Sequence, residues 1–156
     1  MAGYTENSIV IFRDFDTVFD LTNTIELWPL LNIKYEKVEV LERNGNEISY
    51  SITTYPSGKS PSRTLVMRRI IDKPNRQATT ELVSKSSAFK EMKIHWSYEE
   101  LPQGAGVVMT WSQKFEVHED CKLTTEQMES SIDRDTRSQM QVVKEKIEAW
   151  QAKQPV

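Results

Sequence analysis

The chain has little of what many site chemistries need: one cysteine, two histidines and five glycines among 156 residues. Cys121 has no second cysteine to pair with, which excludes an internal disulfide, and no basic helix start stands beside it to activate the thiol. His118, Glu119, Asp120 and Cys121 cluster after a predicted strand, but no second His or Cys set completes a zinc site, so no metal is expected. Glycine-rich phosphate loops are absent. Positive charge is not concentrated either: the net charge is −3 and the signs are interspersed, so neither nucleic acid nor a membrane surface is an expected partner. No apolar run approaches transmembrane length, and the opening "MAGYTENSIVIF" lacks the basic-then-apolar layout of a signal peptide. A soluble, cytoplasmic protein is the expectation.

What is present organises around the C-terminal segment, residues 124–153, the one long run without Gly or Pro. Thr124 with Gln127 reads as a capping box, and Met128, Ile132, Thr136, Met140, Val143, Ile147 and Trp150 recur at steps of three and four. The spacing predicts one amphipathic helix roughly 40 Å long. Residues 5–13 read as a strand covered on both faces, and residues from Asp14 to Leu31 as two short helices separated near Asn23, with Pro29 ending or kinking the second. Six further strands are predicted at 35–42, 47–55, 63–72, 78–86, 89–100 and 106–117. They are joined by breaks such as Asn44-Gly45, which suits a two-residue primed turn, "PSGKSPS", "DKPNRQ" and "LPQGAG". With 38% hydrophobic residues the chain is expected to form a single domain over residues 1–156. The predicted fold is α+β: a curved seven-stranded antiparallel sheet gripping the terminal helix, with two short helices after strand one. The hollow of such a body is usually a ligand cavity.

Period two then sorts the side chains facing that hollow. On 89–100 the set Met92, Ile94, Trp96, Tyr98 faces inward, and on 106–117 the set Val107, Met109, Trp111, Gln113, Phe115, Val117. On 63–72 either Arg63, Leu65, Met67 and Arg69 or Thr64, Val66, Arg68 and Ile70 face inward, so an arginine is buried in both registers. Burial of an unpaired arginine costs several kcal/mol and, unlike lysine, it cannot shed its proton. Two explanations stand at this level. The guanidinium binds carbonyl or enolate oxygens and stabilises developing charge, or Arg68 or Arg69 bridges a core carboxylate such as Asp133.

The segments "TENSIVI", "TIELWPLLNIKY", "TTYP", "MRRI", "IHWSYE" and "WSQKF" resemble, in order and spacing, the monodomain aromatase/cyclases of bacterial type II polyketide synthases. The tetracenomycin type within the START-like superfamily is the most similar, and the likeness runs over nearly the whole chain. The resemblance implies a START-like helix-grip fold and a cofactor-independent enzyme. Its substrate would be a poly-β-ketone tethered to an acyl carrier protein, whose first ring the enzyme closes by aldol addition and drives to aromaticity by dehydration. It places Arg69 at the family's essential pocket arginine, which selects the Arg63, Leu65, Met67, Arg69 register, and Tyr35 at the pocket tyrosine. Trp28, Thr54, Phe89, Met92, Trp96, Trp111 and Gln113 match substrate-lining positions, and Gln139 stands at a polar position of the gripped helix. Met67 replaces a pocket serine, Arg63 and Leu65 replace tryptophans, and Asn32 replaces a phenylalanine. These departures bear on chain length and ring-closure register.

On this reading Arg69 holds a carbonyl as its oxyanion, Tyr35 donates or relays the proton, and Gln113 with Thr54 orients the chain. The acidic carrier protein would dock on a basic rim that includes Lys34, Lys37, Lys59 and Arg63. The rival reading keeps the cavity without the chemistry: a non-catalytic START-like carrier or chaperone for an aromatic or lipidic ligand.

Overall fold

The computed structural model describes residues 2–31, 35–55, 62–86 and 88–151. Asn32, Lys34 and Lys59 lie outside the described residues. Strand β1 (Ala2–Ile11) leads into helix α1 (Phe15–Thr22) and a 3-10 segment (Ile25–Leu31). Six strands follow: β2 (Lys37–Asn44), β3 (Glu47–Thr53), β4 (Thr64–Asp72), β5 (Gln77–Leu82), β6 (Phe89–Glu100) and β7 (Val107–Val117). The chain then forms helix α2, Thr125–Glu148. The sheet order β1-β7-β6-β5-β4-β3-β2 is antiparallel throughout, so β1 closes on the last strand of a meander. This is the helix-grip fold that the strand and helix order predicts and that the resemblance describes as START-like.

Local chemistry explains most of the boundaries. Asp14 caps α1 by accepting from the Thr17 amide at 3.0 Å. Both halves of the Thr124–Gln127 capping box are formed, at 3.1 and 2.9 Å, and fix where α2 begins. Its end comes earlier than the periodicity predicts. Arg13 reaches across to the Ile147 and Trp150 carbonyls, at 3.0 and 2.6 Å, and occupies acceptors that a longer helix would use itself. Gly3 allows a close approach: a Cβ there would lie 2.4 Å from the Phe115 ring.

Several expectations are corrected. The β2–β3 turn is centred on Gly45 and Asn46, with Asn44 still paired to Glu47. Only Gly45, at φ 61°, takes a positive φ in this turn, the signature of a type II′ hairpin. Pro29 sits inside the second short helix, a 3-10 segment in which its fixed φ is tolerated, and does not end it. Strand β5 stops at Leu82, because the Ser84 hydroxyl takes the Val66 amide at 2.9 Å and ends the ladder. The first half of β1 has one face in solvent, through Tyr4, Glu6 and Ser8, and is not covered on both.

Buried residues form two clusters. The larger joins α1, the 3-10 segment, the sheet and the C-terminal half of α2 through residues such as Phe19, Ile25, Met109, Val143 and Ile147. The smaller, Met92, Phe115 and Met128, sits under the start of α2. The helix is tied to β1 by Asn7 to Asp133 at 2.9 Å and Lys144 to the Val10 carbonyl at 2.7 Å, and to the residue just after β1 by the Phe12 amide to Glu148 at 2.9 Å. Thr124→Ala should therefore lower unfolding free energy by about 1 kcal/mol in urea titration and leave the near-ultraviolet spectrum of the folded protein unchanged, since only a cap is lost.

Candidate functional site

Between the two clusters lies a cavity of about 340 Å³, in the range of small-molecule sites. It is lined by β3, β4, β5, β6 and β7 on one side and by α2 and the residues around Trp28 on the other. A second depression, lined by Leu123, Glu126, Gln127, Ser130, Ser131 and Arg134, is open and carried almost wholly by the outer side of α2, and it has no enclosing wall.

The residue that dominates the cavity is Arg69, which is 1% exposed. The β4 register settles which arginine turns inward: Met67 and Arg69 are buried, while Arg68 is exposed and paired to Glu47 and Glu81. Asp133, the candidate core carboxylate, instead bonds Asn7 and Arg137 on the far side of α2, so neither arginine bridges it. Arg69 is held by neutral groups. Nε and one terminal nitrogen donate to Asn23 Oδ1 at 3.1 and 2.8 Å, and the other terminal nitrogen donates to Thr80 Oγ1 at 2.8 Å. Its guanidinium carbon lies 4.2 Å from the Trp96 ring centroid and 5.6 Å from that of Trp28. Hydrogen bonds to a charged group contribute about 1.5–3 kcal/mol each, and desolvated cation–π contacts about 2, enough to offset a several-kcal/mol burial cost without a carboxylate. Among the described residues no Asp or Glu lies within ion-pair distance of Arg69. Of the five N–H donors of a guanidinium, the bonds to Asn23 and Thr80 engage three.

Aromatic rings carry the walls. Trp96 and Trp111 stack at 4.2 Å with planes 10° apart, and Trp28 contacts Trp96, Tyr50 and Tyr35 at 5.9, 5.4 and 6.2 Å. With Trp111 over one face of Trp96 and the guanidinium over the other, Trp96 has only its edge left to meet a ligand. Trp28 is fixed by its own Nε1 bond to the Thr22 carbonyl, 3.0 Å. Trp111 Nε1 is buried and has no partner among the described residues.

All eleven residues singled out from the sequence line this cavity: Trp28, Tyr35, Thr54, Met67, Arg69, Phe89, Met92, Trp96, Trp111, Gln113 and Gln139. Their polar groups are not equally available. Thr54 Oγ1 accepts from the Arg63 amide at 3.0 Å and donates to the Arg63 carbonyl at 3.4 Å, which engages it in closing the β3–β4 end. Gln113 donates to Thr136 at 2.9 Å, and its Oε1 has no partner among the described residues. Tyr35 is half-buried as a residue, with its hydroxyl in the low-dielectric interior. That burial, reinforced by Tyr50 and opposed by Arg69, pushes its pKa far above the usual tyrosine value. Burial also raises Tyr50 and Tyr98, again against the pull of Arg69.

Sequence reasoning missed Asn23 and Thr80, which hold the arginine, and Tyr50, Thr136 and Asp135, which join the lining. Thr80 carried a usable signal, because it is the β5 residue paired to Arg69 across the sheet. Asn23 carried none beyond its place between two helices.

The three buried tyrosines generate a pH prediction. Their folded pKa values lie above the unfolded value of about 10, so the associated stability is complete below pH 10 and is lost as pH rises through the folded values. In an alkaline titration, tyrosinate absorbance from Tyr35, Tyr50 and Tyr98 should appear together with loss of far-ultraviolet ellipticity, not before it. Ionisation of all five tyrosines near pH 10 with the fold intact would contradict their burial.

Comparison with known proteins follows the same line. Residues 13–148 match the family described as polyketide cyclase / dehydrase and lipid transport. A Streptomyces cyaneus protein named "Putative polyketide cyclase" is 34% identical over 148 residues, 95% of each chain, and a Streptomyces halstedii protein of the same name is 37% identical over 111 residues, 71% of this chain and 99% of the other. Among solved structures, the Zhui aromatase/cyclase from Streptomyces sp. R1128 superposes with a TM-score of 0.83 over 95% of this chain and 94% of its own, at 16% identity, a likeness of fold.

Proposed function

The chain belongs to the polyketide cyclase / dehydrase and lipid transport family, and from that membership we propose that it is an aromatase/cyclase of the tetracenomycin type. The proposed reaction is regiospecific first-ring aldol closure of a poly-β-ketone bound to an acyl carrier protein, followed by dehydration to an aromatic ring. The observation that carries this reading is Arg69: a cation at the wall of an aromatic cavity, held only by neutral groups and therefore uncommitted to any anion of the protein.

The chemistry uses that free charge. A methylene between two carbonyls is already acidic and enolises with modest help. The enol carbon bonds to a distant carbonyl carbon, whose oxygen takes up negative charge beside the guanidinium. Tyr35 is kept protonated by burial and gives that oxygen its proton; the proton released from the methylene restores the phenol, so closure is balanced. Loss of the new hydroxyl with a neighbouring C–H proton then releases one water, and enolisation of the remaining ring ketones completes the aromatic ring. The open Gln113 carbonyl is suited to receive an enol O–H, while Thr54 acts through the β3–β4 end that it closes. The aromatic walls confine the chain near one reactive conformer, an entropic contribution comparable to the acid–base one. The carrier protein is the proposed partner, and Arg63 and Lys37 belong to its candidate rim.

The family's description also spans lipid transport, so a non-catalytic carrier is the reading to test against. Product analysis of a reconstituted synthase separates them. With wild-type protein, the first-ring aromatic product should replace the mixture formed spontaneously. Arg69→Ala should lower its rate by about 10²–10³-fold with the circular dichroism spectrum retained. Tyr35→Phe should lower it about 10²-fold. A product spectrum that the protein leaves unchanged would replace the cyclase reading with the carrier, whereas both variants matching an active wild type would overturn the roles given to Arg69 and Tyr35.

A further inference from the structure

We propose that Asn23 is the positioning residue of this site, and that its being an amide rather than a carboxylate is what keeps the cationic charge of Arg69 available to a ligand oxygen. The inference rests on the cyclase reading above and extends it to a residue outside the cavity lining.

Asn23 is the C-cap of α1 and is buried, 7% exposed. Its Oδ1 accepts from two different nitrogens of Arg69, at 3.1 and 2.8 Å, so it sets both the position and the plane of the guanidinium. Its Nδ2 donates to the Phe19 carbonyl at 2.9 Å and to Tyr98 Oη at 3.3 Å. The Tyr98 hydroxyl is in turn bonded to Thr22 at 2.7 Å. Each end of the amide thus has a partner that fixes its orientation, since the guanidinium only donates and the helix carbonyl only accepts.

No other side chain of this size does both jobs. An ionised aspartate accepts from the arginine but sets an oxygen against the Phe19 carbonyl, and it forms a charge-paired fork with the guanidinium. A ligand oxyanion would then meet a neutral pair instead of a cation. Alanine removes the amide donor from the Phe19 carbonyl, which keeps Thr22 Oγ1 at 3.2 Å, and removes both hydrogen bonds that Asn23 Oδ1 accepts from the guanidinium. Asn23 also connects Arg69 to the C-terminal end of α1, where the aligned peptide dipoles are negative and no basic residue of the last turn answers them. The arginine is held by diffuse dipolar attraction, which no single counter-ion concentrates.

The experiment compares Asn23→Asp, Asn23→Ala and Arg69→Ala in the full chain. It measures kcat and KM on carrier-tethered polyketone and the thermal midpoint of each protein. Asn23→Asp should fold, keep KM within about threefold and lose kcat about 30-fold or more, a split that a purely structural residue does not produce. Asn23→Ala, assayed well below its midpoint, should lose kcat about tenfold. Full kcat in folded Asn23→Asp, or in Asn23→Ala should the aspartate variant not fold, with Arg69→Ala inactive, would overturn the role of Asn23 alone. Full kcat in Arg69→Ala would overturn the role given to Arg69 and with it that of Asn23, whereas no turnover by the wild-type protein would overturn the cyclase reading beneath both.

Discussion

The arrangement of this protein turns on one problem, how to keep a guanidinium in an aromatic interior without an anion. Removing such a charge from water costs several kcal/mol, and a buried carboxylate would be the simple remedy. Here the cost is instead spread over an amide, a hydroxyl, two indole faces and the carbonyl end of a short helix. Each member is neutral, so the sum stabilises Arg69 in place but leaves its field uncancelled. The fold serves that arrangement: α1 ends where Asn23 meets β4, Thr80 lies across the sheet from Arg69, and Trp28 is pinned to the last turn of α1.

How much of this is legible in the sequence depends on whether the signal is periodic. Strand β6 can be read to the residue and β7 to within one, because an alternating apolar face survives in any context that buries one side of a sheet. The start of α2 is equally clear from Thr124 and Gln127, since a capping box is a local device. Its end is not, because Arg13, more than 130 residues away, supplies the stop. The shift of the β2–β3 turn by one residue has the same character: Gly45 marks the turn, but whether it takes the first or second central position is decided by strand pairing.

The lining of the cavity is legible for a different reason. The inward sets of β6 and β7 follow from period two alone, but the register of β4 is ambiguous from residues and is selected by family resemblance. The pairing of the outer face explains the choice: Arg68 finds Glu47 and Glu81 there, so the two neighbouring arginines are sorted by where carboxylates are and are not. What stays hidden is the support behind the lining. Asn23, Thr80 and Tyr98 act through side-chain bonds spanning 11 to 75 residues of sequence, and polar residues with one long-range partner leave no periodic trace.

The packing of Trp96 shows how support and lining become one structure. Sandwiched between Trp111 and the guanidinium, its indole presents an edge to the cavity, so its face braces Arg69 while Asn23 and Thr80 hold the nitrogens. The remaining aromatic lining comes from Trp28, Tyr35, Tyr50 and Phe89, while Met67, Ile52 and Leu65 supply apolar contact without direction. Directional polar groups fall in two sets: Arg69 with the Tyr35, Tyr50 and Thr80 hydroxyls on one side, and Gln113, Thr136, Gln139 and Asp135 toward α2 on the other. The proposed flexible, oxygen-rich substrate would gain most from placing one oxygen at the cation, the one fully charged donor of the buried wall, and less from the neutral polar groups. On the proposed function, selection of one substrate fold over its alternatives would therefore rest on where the buried cation sits, and so on the rigidity of the neutral groups that hold it.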